Sequence, residues 1–356
     1  MGAKLTQSAT TARVYDNPSA FRQLEADWKS LFDRHGGWNL FLSWQWFSQW
    51  WSAFGANREL QLLALECGDR LVGIVPMMVE IDDAGKRQLA LIGSDRTTDY
   101  GDVLVDSDHL PALTEALADF VADGFGRWES VLFRSLPESS PLLSSFREVA
   151  HRRGLVSDIC VSNTCPVLHL ADSWDGYLAT LRKTDRHELR RKIRRSQAVG
   201  DRSFHSFTTP LEVAAALESF FNLHRASRPD KAEFLDDTTA AFFAGMSRAF
   251  AEAGWLSLNF LRIDGRDVAA TLSFSRGDRV LLYNSGLDPE YRKHSVGIAL
   301  HAADIHQAID RGKEWYDFLR GNETYKYHLG GKDTPIYNLT LLPEGETGRG
   351  KQEDHN

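Results

Sequence analysis

Cysteine is scarce: Cys67, Cys160 and Cys165 are the only three in 356 residues. So small and odd a set supplies no disulfide framework and reads as a reduced, cytoplasmic setting. Cys160 and Cys165 flank Asn163, but no second pair or His cluster completes a tetrahedral site, so buried thiols and no metal are expected. Long apolar runs are missing as well. No window reaches the length that spans a bilayer, and Met1 to Thr11 lacks the charged start and apolar stretch of a secretory leader. Met1-Gly2 with Thr6 fits a myristoylation pattern, which is too short to carry weight. Absence of a Gly-Lys-Ser/Thr phosphate loop, a Gly-x-Ser-x-Gly elbow and a His-Glu-x-x-His helix excludes P-loop hydrolases, the commonest esterases and zincins. Positive charge is in deficit, 41 Lys and Arg against 49 Asp and Glu, so the molecule as a whole is not built to lie on nucleic acid or anionic lipid.

What is present suits a soluble globular chain of one large or two medium domains, with 42% hydrophobic residues and ten Trp for a substantial core. Residues 18–54 show helical spacing around Trp38, Trp44, Trp46, Trp50 and Trp51. Short apolar or alternating runs follow at Leu60 to Glu66, Leu71 to Val79, Arg87 to Ile92 and Asp102 to Val105, then a helix at Pro111 to Ala122 and a strand at Ser130 to Phe133. The second half repeats this order. Helices over Leu211 to Phe221 and Thr238 to Ala253 precede a meander of Leu256 to Ile263, Val268 to Phe274 and Val280 to Tyr283. Leu60 to Leu65 and Leu256 to Leu261 share apolar positions, each before a Gly turn and a second strand, which points to a duplicated α/β unit. Beyond Pro343 the chain is charged and nearly free of apolar residues, and a disordered tail is expected over 343–356.

The segment from Tyr283 to Ala299 carries the chemistry. A strand ends at Tyr283, a polar loop follows, and a helix opens near Ser295 with the stripe Ile298, Ala302, Ile305, Ile309. The first amides of such a helix lack backbone partners and lie at the positive end of its dipole, Gly297 permits close approach, and Arg292 and Lys293 add charge: a diphosphate site. The same residues equally suit an ordinary capped helix with solvated basic side chains.

His294-Ser295-Val296-Gly297-Ile298-Ala299 resembles the pyrophosphate loop of the GNAT acyltransferases, with His294 at the position usually held by Arg or Gln. With Trp315-Tyr316-Asp317-Phe318-Leu319-Arg320-Gly321-Asn322-Glu323-Thr324-Tyr325-Lys326 the segment resembles the CelD-type branch of bacterial GNAT proteins, linked to cellulose and exopolysaccharide production and related to Fem-like aminoacyl transferases. The likeness covers most of Leu168 to Leu342, and is much weaker in the N-terminal half. It implies an α/β (α+β) fold of tandem GNAT-like domains, each a mixed, mostly antiparallel sheet flanked by helices. The expected division is 1–165, a degenerate GNAT-like domain, and 166–342, the acyltransferase domain.

The resemblance implies acyl-CoA, such as acetyl-CoA, as co-substrate, bound through Tyr283, Asn284, Arg292, Lys293, His294, Ser295, Val296, Gly297, Ile298 and Ala299. An amine or amino-sugar acceptor attacks the thioester directly, with the oxyanion on a backbone N–H near Asn284. Tyr325 matches a family acid, and Lys326 the Lys of the Fem-like branch that stabilises developing negative charge. Asp317 either orients Lys326, binds substrate or pairs with Arg320. His224 is a candidate base or a satisfied core residue, Glu323 is a weaker candidate, and His301 and His306 are expected to face solvent. The alternatives are an aminoacyl-tRNA-dependent transferase and a catalytically inactive GNAT-like binding protein.

Arg182 to Arg195 holds eight basic and two acidic residues at amphipathic spacing. Contact with CoA phosphates or an anionic substrate, a membrane surface, or tRNA competes there with a merely solvated face. Aromatic interleaving for RNA is missing, so nucleic acid is not the expected partner.

Overall fold

Two β-rich halves, each made of strands too apolar to face water on both sides, bury their helices against one continuous sheet. The computed structural model describes residues 10–93 and 96–345. Residues 1–9, where a leader and a myristoylation pattern were sought, and 346–356 of the expected tail lie outside the described residues.

Strands of the first half are β1 (Thr10–Tyr15), β2 (Glu59–Cys67), β3 (Arg70–Ile81), β4 (Arg87–Leu91), β5 (Leu104–Val105) and β6 (Ser130–Pro137). Its helices are α1 (Ala20–Gln23), α2 (Glu25–His35), α3 (Trp44–Phe54), α4 (Leu110–Gly124) and α5 (Ser145–Arg152). After β7 (Leu155–His169) come helices α6 (Trp174–Thr180), α7 (Lys183–Gln197), α8 (Pro210–Ser227), α9 (Pro229–Phe234) and α10 (Asp237–Glu252), with β8 (Arg202–Phe207) between α7 and α8. Strands β9 (Leu256–Ile263), β10 (Arg266–Arg276) and β11 (Arg279–Leu287) then lead to α11 (Val296–Asp310), β12 (Trp315–Asp317), α12 (Thr324–His328) and β13 (Lys332–Pro343).

The strand order is β1-β2-β3-β4-β6-β13-β7-β12-β11-β10-β9-β8, with β5 paired to β3. Reading inward from either edge gives the same sequence of antiparallel pairs and one parallel pair, β4 with β6 and β11 with β12. The duplication extends to single contacts. The Asp106 N–H donates to the Val72 carbonyl and Arg70 pairs with Asp106 at 3.5 Å; the Asp288 N–H donates to the Val268 carbonyl and Arg266 pairs with Asp288 at 2.6 Å. The halves also trade their last strands. β7 continues the first half in sequence yet pairs with β12 of the second, while β13 ends the second half and pairs with β6 of the first. β7 and β13 pair with each other from Lys332↔Val167 to Pro343↔Leu155. The 165/166 division therefore falls inside one strand.

Local signals explain the helices. The Ser43 hydroxyl caps α3, and the Thr209 hydroxyl with Glu212 forms a capping box on α8, whose first residue is Pro210. The Trp-rich α3 buries Trp46, Trp50 and Trp51. Trp46 meets Phe242, Phe250, Phe274 and Tyr283, all of the second half, so one aromatic core locks the halves together. Cys160 is exposed, against the expectation of buried thiols, in the run 160–163 of β7 whose residues are all exposed; Cys165 is buried. Strand β13 runs through Pro343, so the chain stays ordered to the start of the expected tail.

Candidate active site

The strand expected to end at Tyr283 continues to Leu287, because Asn284 to Leu287 keep pairing with β10. On its other edge β11 loses its neighbour early: the pairs with β12 stop at Leu281↔Asp317. From Leu282 onward β11 thus exposes main-chain groups to an opening. Its pairing with β10 also skips a residue, since Leu272 faces Asn284 and Ser273 faces Leu282, which leaves Tyr283 in a β-bulge. Close packing holds this stretch in place. A Cβ on Gly286 would lie 2.5 Å from the His224 backbone nitrogen, so only glycine lets α8 approach.

The opening is a cavity of about 290 Å³. Leu282, Tyr283, Asn284 and Ser285 of β11 form one wall, and Phe318, Leu319, Arg320, Glu323, Tyr325 and Lys326 form the facing one. His224, Lys231 and Phe234 close a third side. The fourth comes from the other half of the chain. Where β11 merely bulges, its counterpart in the first half breaks into β4 and β5, and the described residues between them supply Arg96, Thr97 and Asp99 to the cavity.

His224 is buried, and its Nε2 lies 2.8 Å from Asn284 Oδ1, which can only accept; the ring nitrogen therefore carries the proton. Nδ1 is buried without a partner among the described residues. Burial, reinforced by Lys231, lowers the ring's pKa to about 4, so it is neutral at physiological pH. Lys231 donates to the Ser285 carbonyl on the open edge of β11. Its own pKa is lowered to about 8 by burial and then by Arg228.

Lys326 is 2% exposed and spends its ammonium protons locally. It donates to the carbonyls of Leu319, Arg320 and Gly321 at 3.1, 2.9 and 3.1 Å and pairs with Glu323 at 2.8 Å. That clamp holds a turn in which Leu319 and Gly321 both have positive φ. Tyr325 stacks on His301 at 4.9 Å and meets Phe318 edge-on; burial, then Glu323, pushes its hydroxyl pKa upward.

His301 is buried, contrary to the solvent-facing expectation, because α11 is apolar around most of its girth and Tyr325 covers the ring. Burial lowers its pKa to about 3. His306 is half-exposed and stacks on Trp174.

Asp317 is fully buried and does not pair with Arg320. It accepts from the Tyr100 hydroxyl at 2.9 Å, the Leu319 N–H at 2.9 Å and Arg279 at 3.3 Å, while Arg320 reaches Asp99 at 3.1 Å. Burial raises the Asp317 pKa to about 6.

The structure thus brings Tyr283, Asn284, His224, Tyr325 and Lys326 to one cavity, while Asp317 and the segment Arg292 to Ala299 lie outside its lining. In that segment Ser295 takes a left-handed conformation (φ 62°) with no side-chain cap, and α11 begins at Val296. Arg292 donates to the Ser227 carbonyl at 2.6 Å, Lys293 is exposed, and the His294 ring lies 6.2 Å from Tyr291. Val296 and Ala299 are buried, whereas Gly297 and Ile298 are half-buried. Lys231, Arg96, Thr97 and Asp99 were not anticipated. No periodicity marks either segment; the one available cue was the polar Arg228-Pro229-Asp230-Lys231 turn directly after the His224 helix.

Comparison with known proteins finds a family model over part of the chain, the part that holds most of this site. Residues 183–327 match the acetyltransferase (GNAT) domain. A GNAT domain implies transferase chemistry, and this one includes the bulged strand, α11 and Tyr325 to Lys326. No curated protein matches the chain. Among solved structures, FemX aligns with a TM-score of 0.63 at 11% identity, over 90% of this chain and 96% of that one. L-PGS from Bacillus licheniformis gives 0.58 at 11% identity over 93% of each. A conserved protein of unknown function from Bacteroides thetaiotaomicron VPI-5482 gives 0.56 at 13% identity over 93% of this chain and 100% of that one. These likenesses concern the fold, and they extend over both halves rather than the GNAT segment alone. Among the described residues no group of His, Cys, Asp and Glu is placed to hold a metal ion, and no helix is long and apolar enough to cross a membrane.

Proposed function

We propose that the chain is an N-acyltransferase that carries an acyl group from acyl-CoA to an amine, with an amino sugar of an exopolysaccharide as the acceptor class and the cytoplasm as its setting. The observation that carries this reading is the parting of β11 from β12 after Leu281↔Asp317, at a bulge, beside a polar cavity. A strand with a free edge accepts an extended amide-bearing arm as an added strand, and the pantetheine of CoA is such an arm. The residues fit this donor at its other end too. The N–H groups of Val296, Gly297 and Ile298 open a 15-residue helix and have no intrahelical acceptors, Ser295 leaves them uncapped, and Lys293 is exposed beside them.

In this reading the amine attacks the thioester carbonyl next to the bulge, where re-aimed main-chain N–H groups near Asn284 receive the oxyanion. His224, neutral and with Nε2 spent on Asn284, positions that residue rather than taking a proton. Tyr325, held protonated by its raised pKa, gives its proton to the departing thiolate. Lys326 fixes the 319–321 turn that forms the opposite wall. The amine nitrogen sheds its proton through water at the cavity mouth, and that proton restores the Tyr325 hydroxyl.

Calorimetry with acetyl-CoA tests the reading: saturable micromolar binding is expected, and no binding overturns it. A second donor, aminoacyl-tRNA, is favoured by one observation, the correspondence of both halves to FemX. Binding of tRNA that weakens steeply with salt, without acetyl-CoA binding, would select it.

A further inference from the structure

Two lysines reach the cavity, and their surroundings set them apart. Lys326 is surrounded by a carboxylate and three carbonyls that hold its charge and occupy its protons. Lys231, on the short α9, has one hydrogen-bond partner for its side chain among the described residues, the neutral Ser285 carbonyl. That carbonyl lies two residues beyond the bulged Tyr283, on the edge β11 leaves open. The charged groups around Lys231 among the described residues are Arg228 and Asp230 beside it in the chain, Glu323 and Lys326 from across the cavity, and Arg96, Asp99 and Arg320 in the same lining. Arg228 and Asp230 pair with each other at 2.6 Å, Glu323 pairs with Lys326 at 2.8 Å and Asp99 with Arg320 at 3.1 Å, so each of these three carboxylates is already engaged. The imidazoles near it, His224 and His301, are neutral. Among the described residues, therefore, no unengaged carboxylate faces Lys231 to hold it in its ammonium form.

We propose that Lys231 is a self-acylation site, whose Nζ takes the acyl group of a thioester lying along the open edge of β11. This rests on the reading of acyl-CoA as donor. The neutral nitrogen attacks the thioester carbonyl carbon, a C–N bond forms and the C–S bond breaks. The sulfur leaves as thiolate, and the proton shed by nitrogen ends on that sulfur. The products are an amide on Lys231 and free CoA, with no other reactant needed. Acylation removes one positive charge from the cavity and leaves the acyl group inside it, where an acceptor would otherwise enter.

The full chain is incubated with acetyl-CoA while binding is followed by calorimetry and covalent labelling by intact-mass and peptide mass spectrometry. One acetyl group per chain on Lys231 is expected. Because the amine titrates at about 8, labelling should run roughly tenfold faster at about pH 9 than at about pH 7. Lys231→Arg should lose the label while circular dichroism confirms its fold. Acetyl-CoA binding with Lys231 unlabelled overturns the proposal and leaves the acyltransferase reading standing. Labelling of Lys231 no faster than in the urea-unfolded chain also overturns it. Absence of acetyl-CoA binding removes both.

Discussion

Asp99, from the first half of the chain, lies 3.1 Å from Arg320, from the second, in the wall of the cavity. Neighbouring contacts also cross between the halves, one in each direction: the Tyr283 hydroxyl donates to the Thr97 carbonyl at 3.0 Å and that of Tyr100 to Asp317 at 2.9 Å. The break between β4 and β5 occupies, in the first half, the position of the bulge in β11, and Arg96, Thr97 and Asp99 from that break wall the other half's site. Tandem duplication here divides the labour instead of doubling the site.

Removing the charge of Asp99 tests that interface. Burial raises its pKa, and the Arg320 guanidinium opposes the rise. Asp99→Asn keeps the shape but removes the carboxylate charge 3.1 Å from Arg320, whose side chain is 23% exposed. A loss of about 1–3 kcal/mol is expected, less than for a fully buried pair because solvent reaches the guanidinium. Urea unfolding measures it; unchanged stability would mean that the pair does not hold the halves together.

Much of this arrangement was legible in the sequence, and the unread part has a common cause. The β9-β10-β11 meander, α8, α10 and α11 follow from periods of 2 and 3.6 residues, with side-chain caps on α8 and α10, and His224, Asn284, Tyr325 and Lys326 stand in or beside recognisable local motifs. The exchange of β7 and β13 is a pairing between residues more than a hundred positions apart, and no local pattern encodes it. Residues 92–103 carry no period at all, so their reach to the cavity was invisible. His301 was misplaced because the stripe Ile298, Ala302, Ile305, Ile309 assumed one buried face, whereas α11 also buries Val296, Ala299, Leu300, Asp304 and Ala308.

Asp304 gives the protein a stability term that depends on pH. It is buried on α11, accepts from Asn259 at 2.9 Å and Thr271 at 2.7 Å, and burial raises its pKa to about 7. A carboxyl whose folded pKa lies above its unfolded value near 4 stabilises fully below about pH 4, and this contribution is lost as pH rises through about 7. Asp304→Asn cannot ionise. The difference in unfolding free energy between wild type and variant should therefore move in the variant's favour by a few kcal/mol from about pH 4 to about pH 8. Urea midpoints across that range measure it, and a constant difference would show that the Asp304 carboxyl titrates normally.

The start of α11 is tested by charge. A Cβ at Gly297 would meet only Leu287 Cδ2, at 3.2 Å, so Gly297→Asp should fold, and a carboxylate in the first turn suits the helix dipole. The same carboxylate repels a diphosphate from the amides it would occupy. Acetyl-CoA affinity should fall by about tenfold or more, roughly 1.4 kcal/mol, with the circular dichroism spectrum unchanged. Undiminished binding would move the phosphate site away from this helix.

Tyr325 and Lys326 are adjacent in sequence but should fail differently. Tyr325→Phe keeps the ring against His301 and Phe318 and removes only the hydroxyl, so kcat should fall by about a hundredfold with KM within a few-fold and stability nearly unchanged. Lys326→Gln, with two N–H donors and no charge, leaves at least two of the four acceptors that Lys326 holds without a partner, while the positive φ of Leu319 and Gly321 remains. It should cost about 3 kcal/mol in stability and raise KM as the wall loosens. Steady-state kinetics beside urea denaturation separate the two. If Lys326→Gln unfolds like wild type and loses only kcat, the ammonium acts on the reacting atoms and not on the turn; if Tyr325→Phe retains full kcat, the thiolate takes its proton from elsewhere.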